Sequence, residues 1–369
     1  MAYRLGFVME QTLGHITHAK NLQNCIARDP DVIPVWIPVS YELQDKWDKV
    51  PVVRGNWTVK SSLRARAQVR AALAATQLDA LFYHTSVTAL FSQGLANIPT
   101  IVSMDATPLN FDNIGNPYNH KPSCLGMLES LKNALNRRVF RRSDKLVVWC
   151  QWAKDSLEMD YGIDPGKVAV IPPGVDMDKW KPGHGTEVGR PVRLLFVGGD
   201  FRRKGGDTLL EAFRTSLRNE CELDIVTREQ VNIDGLSGVR VHYGLGSNAP
   251  ELMALYARAD IFAFPTLADV LPLAIMEAMA SGLPVITTAV GAVSEQIEHG
   301  VTGFLIPPGD ARALAEVTLQ LVRDPALRGA MSAAVRQCAD AKFNAATNYR
   351  RVLEVCKESV DAWRGSKGR

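Results

Sequence analysis

The sequence lacks the features that mark membrane, secreted and zinc-binding proteins. No stretch approaches the roughly 18 consecutive apolar residues that a membrane helix requires, and the N-terminus has no basic segment followed by a long apolar core. We therefore predict neither a membrane span nor a signal peptide. The six cysteines are scattered without a C-x-x-C pair, which excludes a zinc-ligand spacing and favours a reduced, cytoplasmic protein. The net charge of +3 is too small to indicate nucleic acid as a partner.

Short apolar runs alternate with helical patterns along the chain. Residues 4–9, 80–84, 100–104, 193–197 and 284–288 are examples of such runs. Because apolar runs without polar alternation suit strands covered on both faces, the pattern predicts an α/β protein with parallel sheets. At 369 residues the chain exceeds the usual size of a single hydrophobic core, so we predict two domains.

The domain boundary is expected in residues 172–191, which are dense in proline and glycine and show no apolar periodicity. We therefore predict an N-terminal domain at 1–175 and a C-terminal domain at 190–345. Residues 346–369 form an amphipathic helical pattern, which we expect to pack back on the N-terminal domain.

A glycine- and cation-rich segment follows the apolar run at 193–197. Residues 199–205 read G-D-F-R-R-K-G and precede a helical pattern. Glycines let the backbone approach a ligand closely, and Arg203 and Lys204 could form charge-assisted hydrogen bonds to phosphate oxygens. Taken alone, the segment is equally consistent with a solvated basic turn.

Two acidic residues, Asp269 and Glu277, flank the start of another predicted helix, with Pro272 suited to its first turn. The amino end of a helix attracts anions, and two carboxylates near it could accept hydrogen bonds from the hydroxyls of a sugar and a ribose. Each carboxylate alone is more simply explained as a helix cap or a surface acid.

Together these two segments resemble the retaining glycosyltransferases of family 4. The E-x7-E signature of that family matches Asp269 to Glu277 and continues as LPLAIMEAMASGLPVI, and its G-x-x-x-R-K-G loop matches residues 199–205. Further matches stand in order at 170–176 and 300–309. The resemblance is strong over about 168–309 and weaker before it. It implies the GT-B fold, in which two Rossmann-like domains have parallel sheets facing a central cleft.

The resemblance also implies a role for each matching residue. Glu277 would hold the ribose hydroxyls of the donor, Asp269 would contact hydroxyls of the transferred sugar, and Arg203 and Lys204 would neutralise the diphosphate. The remaining implied donor-site groups are the backbone N–H groups of Leu271 and Leu273 and a base pocket lined by Thr227 and Leu245. The family usually has Glu at position 269, where this chain has the shorter Asp.

In the first domain the resemblance points to the loop after the first strand and to Asp105. Gly14 stands where the family commonly has a glycine-rich turn that approaches the donor phosphate and the acceptor. His15 and His18 follow it, and a polar surface or helix-start role is favoured for both. Asp105 stands where the family frequently has a catalytic-site His, and it either belongs to the site or caps the next loop. His84 ends the preceding strand, where a structural role is favoured.

Two basic stretches, 54–70 and 130–143, could contact an anionic membrane or could be solvated helix faces. We expect no metal and no other cofactor, because in this family cations and a helix dipole stabilise the leaving group. The D-x-D pattern at 176–178 lies in the predicted linker, and we discount it as a metal site.

The sequence therefore predicts retaining transfer of a sugar from a nucleoside-diphosphate sugar to a hydroxyl acceptor, which is a glycan, a lipid-linked sugar or a small molecule. Alternatives are a non-catalytic sugar-nucleotide or glycan-binding protein, a sugar-nucleotide epimerase and, from the G-x-G-x-x-A pattern at 244–249, a dinucleotide oxidoreductase.

Overall fold

A computed structural model describes residues 2–40, 47, 56–114, 126–183 and 190–367. The contacts divide the chain into two compact units. The first unit holds most of the chain up to Pro173 together with the stretch from Ala345 onward, and the second holds Gly174–Asn344. No helix in the described part of the chain is both long and apolar enough to cross a bilayer.

The first unit is built on a six-stranded parallel sheet in the order β2-β1-β3-β4-β5-β6. Its strands are β1 (Tyr3–Gln11), β2 (Val32–Ser40), β3 (Ala80–His84), β4 (Thr100–Met104), β5 (Lys145–Val148) and β6 (Val168–Val170). Its helices are α1 (Leu13–Ile26), α2 (Trp57–Ala75), α3 (Ser86–Ala89), α4 (Pro108–Ile114), α5 (Gly126–Arg142) and α6 (Gln151–Met159), joined by the final helix of the chain.

Strands β3 and β4 are buried along their whole length, as expected for apolar runs at the centre of a parallel sheet. One face of this sheet carries the aromatic pair Phe7 and Phe82, whose ring centroids lie 5.6 Å apart. The final helix covers the same core and presents Tyr349 and Leu353 to it, beside Leu22 from α1. The amphipathic pattern at the end of the sequence therefore belongs to the core of the first unit.

The second unit is built on another six-stranded parallel sheet, in the order β12-β11-β10-β7-β8-β9. Its strands are β7 (Val192–Val197), β8 (Cys221–Thr227), β9 (Val239–Tyr243), β10 (Ile261–Phe264), β11 (Val285–Thr288) and β12 (Gly303–Ile306). Its helices are α7 (Gly206–Ala212), α8 (Pro250–Arg258), α9 (Leu273–Ala280), α10 (Ala311–Arg323) and α11 (Pro325–Phe343), and the final helix of the chain is α12 (Ala345–Lys367).

Part of the predicted linker is a packed segment of the second unit. Val175 and Trp180 are buried, and the Trp180 ring meets Tyr256 edge-on at 5.0 Å. The Arg336 guanidinium in α11 donates to the backbone oxygen of Trp180 at 2.7 Å. Contacts with α8 and α11 therefore hold residues 175–180 in place. Residues 184–189 of the predicted linker lie outside the described residues.

Candidate functional site

The predicted phosphate loop joins the carboxyl end of β7 to α7, where a ligand is expected in an open parallel sheet. Gly205 has a left-handed backbone (φ +83°), and a Cβ there would lie 1.8 Å from the backbone oxygen of Pro265. Only glycine allows this close approach. Arg203 donates from Nε to Asp200 at 2.8 Å and from Nη1 to the backbone oxygen of Ala268, also at 2.8 Å. The loop is therefore fastened directly to the segment before α9.

Lys204 and Asp269 form an ion pair across the same junction, from Lys204 Nζ to Asp269 Oδ2. The Lys204 ammonium also lies over the Phe264 ring, 5.2 Å from its centroid. Burial lowers the pKa of Lys204, and the Asp269 carboxylate opposes that change. The structure thus brings together three of the predicted site residues, Arg203, Lys204 and Asp269. Each cation already has an acidic partner within this unit.

Helix α9 begins at Leu273, one residue later than expected, because Pro272 is its N-cap (φ −67°, ψ 126°). Proline has no N–H to donate there, and its backbone oxygen accepts from Gln296 Nε2 at 3.3 Å. Leu271 and Leu273 are both buried on either side of it. Asp269 lies in the loop before the helix, as predicted. The binding role of the two leucine N–H groups stays a prediction.

Glu277 lies on the second turn of α9, as the sequence predicted. Its side chain is buried, which the sequence did not predict. Its Oε2 accepts a hydrogen bond from the Tyr256 hydroxyl at 3.1 Å. Burial raises the pKa of Glu277 to about 8, and the Tyr256 hydrogen bond only partly offsets this. Sequence reasoning missed Tyr256, which reaches the site from α8. A buried carboxyl with a raised pKa is typical of functional sites.

The predicted base-pocket residues lie at the same edge of the second sheet. Thr227 is the last residue of β8, and its hydroxyl accepts from the Glu229 N–H at 3.3 Å. Leu245 lies two residues beyond the end of β9, after Gly244, and not at the strand end itself. Their contact with a nucleobase stays a prediction.

In the first unit, the predicted site residue Asp105 meets His15, for which the sequence favours a surface or helix-start role, beside a carboxylate that sequence reasoning missed. Glu10, near the end of β1, accepts from His15 Nδ1 at 3.1 Å, while His15 Nε2 lies 3.7 Å from Asp105 Oδ2. Burial alone would lower the pKa of His15, but the facing carboxylates of Asp105 and Glu10 outweigh burial and raise it to about 10. Burial acts against the ionised form of Glu10 as well, but its bonds to His15 and to the hydroxyls of Thr85 and Thr12 lower its pKa.

Two further histidines pack beside His15: His84 contacts the His15 ring, and His18 contacts His84. The His18 and His84 rings stack with centroids 4.7 Å apart, and His18 Nδ1 lies 3.1 Å from the Tyr349 hydroxyl. Burial, and then the charge on His15, lowers the pKa of His18 to about 3 and that of His84 well below its usual range. Both rings are therefore neutral at pH 7. Neither His84 nitrogen has a hydrogen-bond partner among the described residues, which agrees with a packing role.

Two other expectations for the first unit change in detail. Gly14 lies inside the first turn of α1, not in a separate turn, and a Cβ there would meet open space. In the basic stretches, Arg64 is buried with Nη1 donating to the backbone oxygen of Ser40, and Lys132 is paired with Asp112 at 2.9 Å. These two cations therefore do not contribute to a free basic face. Arg54 lies outside the described residues, and membrane contact by the others stays a prediction.

The D-x-D pattern has a local explanation. Asp176 Oδ1 accepts the backbone N–H of Asp178 at 3.0 Å, which closes a turn, and its Oδ2 faces Lys179 at 3.8 Å. Within the described ranges, no three His, Cys, Asp or Glu side chains are grouped to hold a metal ion. Independence from metal stays a prediction.

The two α/β units, each with a six-stranded parallel sheet, have the fold of the GT-B glycosyltransferases. Residues 16–179 match the family described as Glycosyltransferase Family 4, and residues 191–324 match the family described as Glycosyl transferases group 1. The two matches together take up most of the chain, which belongs to this group of glycosyltransferases.

Individual relatives agree with this membership. The chain is 30% identical over 254 residues to D-inositol 3-phosphate glycosyltransferase 1 of Catenulispora acidiphila, which is 62% of this chain and 60% of the relative. Sucrose-phosphate synthase from Thermosynechococcus elongatus has a similar structure, with a TM-score of 0.79 at 16% identity over 98% of this chain and all of that chain. HepE of Anabaena, solved in complex with UDP-glucose, has a TM-score of 0.70 at 15% identity, over 96% of this chain and 99% of that chain. These identities are low enough that the solved structures support the fold alone.

Proposed function

We propose that the protein transfers a glycosyl group from a nucleoside-diphosphate sugar to a hydroxyl acceptor, with retention at the anomeric carbon and without a metal ion. The observation that carries this proposal is the junction of the cation loop with the start of α9, where Lys204, Arg203 and Asp269 meet within one unit. The family membership and the UDP-glucose bound to the similar structure HepE support the class of donor.

The diphosphate leaving group gains negative charge as the bond to the sugar breaks. Lys204 and Arg203 are held near the start of α9, each paired with an acidic residue, and both can stabilise that charge once they turn toward the phosphate. The amino end of α9 adds a partial positive charge. Because two cations and a helix dipole supply the electrostatic stabilisation, no step in this proposal needs a metal ion.

Asp269 has a second role in this proposal. When Lys204 turns toward a phosphate, the Asp269 carboxylate becomes available to accept hydroxyls of the transferred sugar. The ion pair therefore keeps both groups neutralised in the ligand-free protein and releases each to a different part of the donor. Deeper in the unit, Glu277 holds the ribose hydroxyls, and Tyr256 fixes the orientation of its carboxyl group.

The acceptor hydroxyl would be recognised by residues of the first unit. Attack on the face of the departing phosphate oxygen would retain the anomeric configuration, and the acceptor proton would pass to that oxygen. We place the reaction in the cytoplasm, where nucleotide sugars are available to a reduced protein, and a peripheral membrane contact through the exposed basic residues is compatible with it.

The test is a donor screen with the full chain. UDP-, GDP- and ADP-linked sugars are tested by thermal shift and by nucleotide release, and the best donor is then tested with a panel of sugar, polyol and lipid-linked acceptors. Lys204→Ala should lower kcat/KM by about 10²–10³-fold, since it removes a cation from the leaving group. Arg202→Ala is the matched control, because the Arg202 side chain in the same loop is 85% exposed.

The outcomes separate the alternatives. Transfer that survives Lys204→Ala at the level of the control would refute the proposed leaving-group site. Tight nucleotide-sugar binding without transfer or hydrolysis would indicate a non-catalytic binding protein, and a changed sugar on recovered donor would indicate an epimerase. A melting temperature that is raised by NADH and by none of the nucleotide sugars would favour an oxidoreductase.

A further inference from the structure

The Arg228 side chain lies against the phosphate loop, although it comes from the end of another strand. A Cβ built on Gly199, the first residue of the loop, would lie 3.4 Å from Nε, 3.5 Å from Cδ and 3.7 Å from Cγ of Arg228. These are contact distances, so the arginine side chain runs along Gly199 in the space that a side chain at position 199 would occupy. Both residues are exposed, so a ligand at the loop can reach the guanidinium.

The second sheet fixes the position of Arg228. Strands β7 and β8 are paired in register to the end of the ladder, where Val197 lies opposite Val226. Continuing that register by two residues brings Arg228 beside Gly199. The Thr227 hydroxyl accepts the N–H of the residue after Arg228 at 3.3 Å, which closes a turn around it. The backbone therefore places Arg228 at the carboxyl edge of the sheet, next to the phosphate loop.

Each cation of the phosphate loop has an acidic partner in the same unit: Arg203 faces Asp200 at 2.8 Å, Lys204 is paired with Asp269, and the exposed Arg202 faces Asp207 at 3.8 Å. These pairs carry no net charge, so they give a negatively charged ligand little long-range attraction. Within the described part of the chain, the Arg228 guanidinium has no hydrogen bond and no ion pair. Arg228 therefore adds a positive charge that no paired carboxylate offsets.

Contact with a phosphate should cost less at Arg228 than at Lys204. Lys204 must leave Asp269 before it can turn toward a phosphate, whereas the exposed Arg228 gives up only water. A guanidinium is also planar and presents parallel N–H groups that match two phosphate oxygens. Arg228 is thus suited to hold a diphosphate while the Lys204–Asp269 pair is still closed.

We propose that Arg228 binds the diphosphate of the donor directly, as a third cation of the site that is supplied from the end of β8. This inference rests on the proposed function, which puts the donor at the phosphate loop. The guanidinium donates two hydrogen bonds to phosphate oxygens, and the Lys204–Asp269 pair opens after the diphosphate is bound. Because Arg228 holds the same group in the donor and in the departing diphosphate, it acts mainly on donor affinity, whereas Lys204 acts mainly on the rate of transfer.

The binding test is isothermal titration calorimetry of the full chain with UDP, GDP and ADP. For the diphosphate that binds the wild-type chain most tightly, Arg228→Ala should raise Kd by about 10–100-fold, since it removes a charge-assisted contact. Arg228→Lys, which keeps the charge, should raise Kd less, and Arg228→Glu should raise it more. Arg218→Ala is the matched control, because Arg218 is also exposed and lies just before the opposite end of β8. It removes the same charge from the other edge of the sheet and should leave Kd unchanged.

Two further readouts separate phosphate binding from a structural role. With the donor selected by the screen, Arg228→Ala should raise the donor KM by a factor similar to that in Kd and change kcat by less than about threefold. Raising the salt concentration from about 0.05 M to 0.5 M should narrow the difference in Kd between wild type and Arg228→Ala, because salt screens exposed charges. A difference that salt leaves unchanged would contradict the proposed contact.

The proposed function and this inference fail in different ways. If Arg228→Ala and Arg218→Ala have the same diphosphate Kd, or if the three variants at position 228 all raise Kd equally, the Arg228 contact is refuted, and transfer that depends on Lys204 would stand. If diphosphate binding depends on Arg228 but no donor is turned over, the transfer is refuted and the contact stands. If UDP, GDP and ADP all fail to bind, both are refuted.

Thermal melts show whether each variant is folded, as expected for changes at an exposed side chain. If Arg228→Ala does not fold, the wild-type chain decides through the NMR resonance of Arg228 Nε–H. Addition of the tightest-binding diphosphate should shift that resonance, and an unchanged resonance at saturation would refute the contact.

Discussion

Glu277 should make donor binding depend on pH in the neutral range. Its pKa is raised to about 8 because the carboxyl group is buried with Tyr256 as its hydrogen-bond donor. The free protein therefore holds a proton on Glu277 at pH 7, whereas ribose hydroxyls are better held by the ionised carboxylate. Donor binding should then release a proton, and affinity should increase as the pH rises toward 8.

The magnitude follows from the ionised fraction. With a pKa of about 8, roughly one tenth of the Glu277 carboxyls are ionised at pH 7 and about half at pH 8. Because the apparent Kd is the intrinsic Kd divided by the competent fraction, affinity should increase about fivefold between pH 7 and pH 8, and less than about twofold above that. Below pH 7 each unit should weaken binding about tenfold, or by about 1.4 kcal/mol.

The assay is isothermal titration calorimetry with a nucleoside diphosphate between pH 6 and pH 9, in buffers of different ionisation enthalpy that report the proton released. Glu277→Gln removes the titrating group, so the difference between this variant and wild type isolates it from the titration of Lys204 and of the phosphate. Glu251→Gln, at an exposed acid in α8, is the matched control. Equal pH dependence in wild type and Glu277→Gln would refute the reasoning.

Three further predictions follow from single contacts. Gly205→Ala should destabilise the chain by at least about 2 kcal/mol, since its Cβ meets a backbone oxygen, whereas Gly235→Ala, also left-handed but open, should cost only about 1 kcal/mol; thermal melts compare them. Tyr256→Phe should move the pH midpoint of donor binding upward, because the lost hydrogen bond had lowered the pKa of Glu277. Arg336→Met should cost about 2–4 kcal/mol in urea unfolding, since it leaves buried backbone oxygens unpaired; a loss below about 0.5 kcal/mol would contradict that role.

Most strands of the two sheets were predictable because they are short apolar runs between helical patterns, a signal contained in adjacent residues; β2 and β12 were not predicted. The phosphate loop was predictable for the same reason, since Arg203, Lys204 and Gly205 are neighbours in sequence. The E-x7-E spacing likewise placed Asp269 before α9 and Glu277 on its second turn.

The rest depends on contacts between distant residues, which no local pattern encodes. Tyr256 reaches Glu277 from another helix, and the burial that raises the pKa of Glu277 comes from the whole unit. Glu10 could have been noticed as a charged residue at the end of a buried strand, but its pairing with His15 depends on α1 folding back across the sheet edge. Residues 174–180 were predicted to be part of the linker because their packing partners, such as Arg336, lie far along the sequence.

The most direct test of the central claim is a crystal structure of the chain with a nucleoside diphosphate bound. The account predicts phosphate oxygens within hydrogen-bond distance of Lys204 and Arg203, the Lys204–Asp269 pair opened, and the ribose hydroxyls on Glu277. A nucleotide bound elsewhere, with Lys204 still paired to Asp269 and Glu277 contacting only Tyr256, would contradict it.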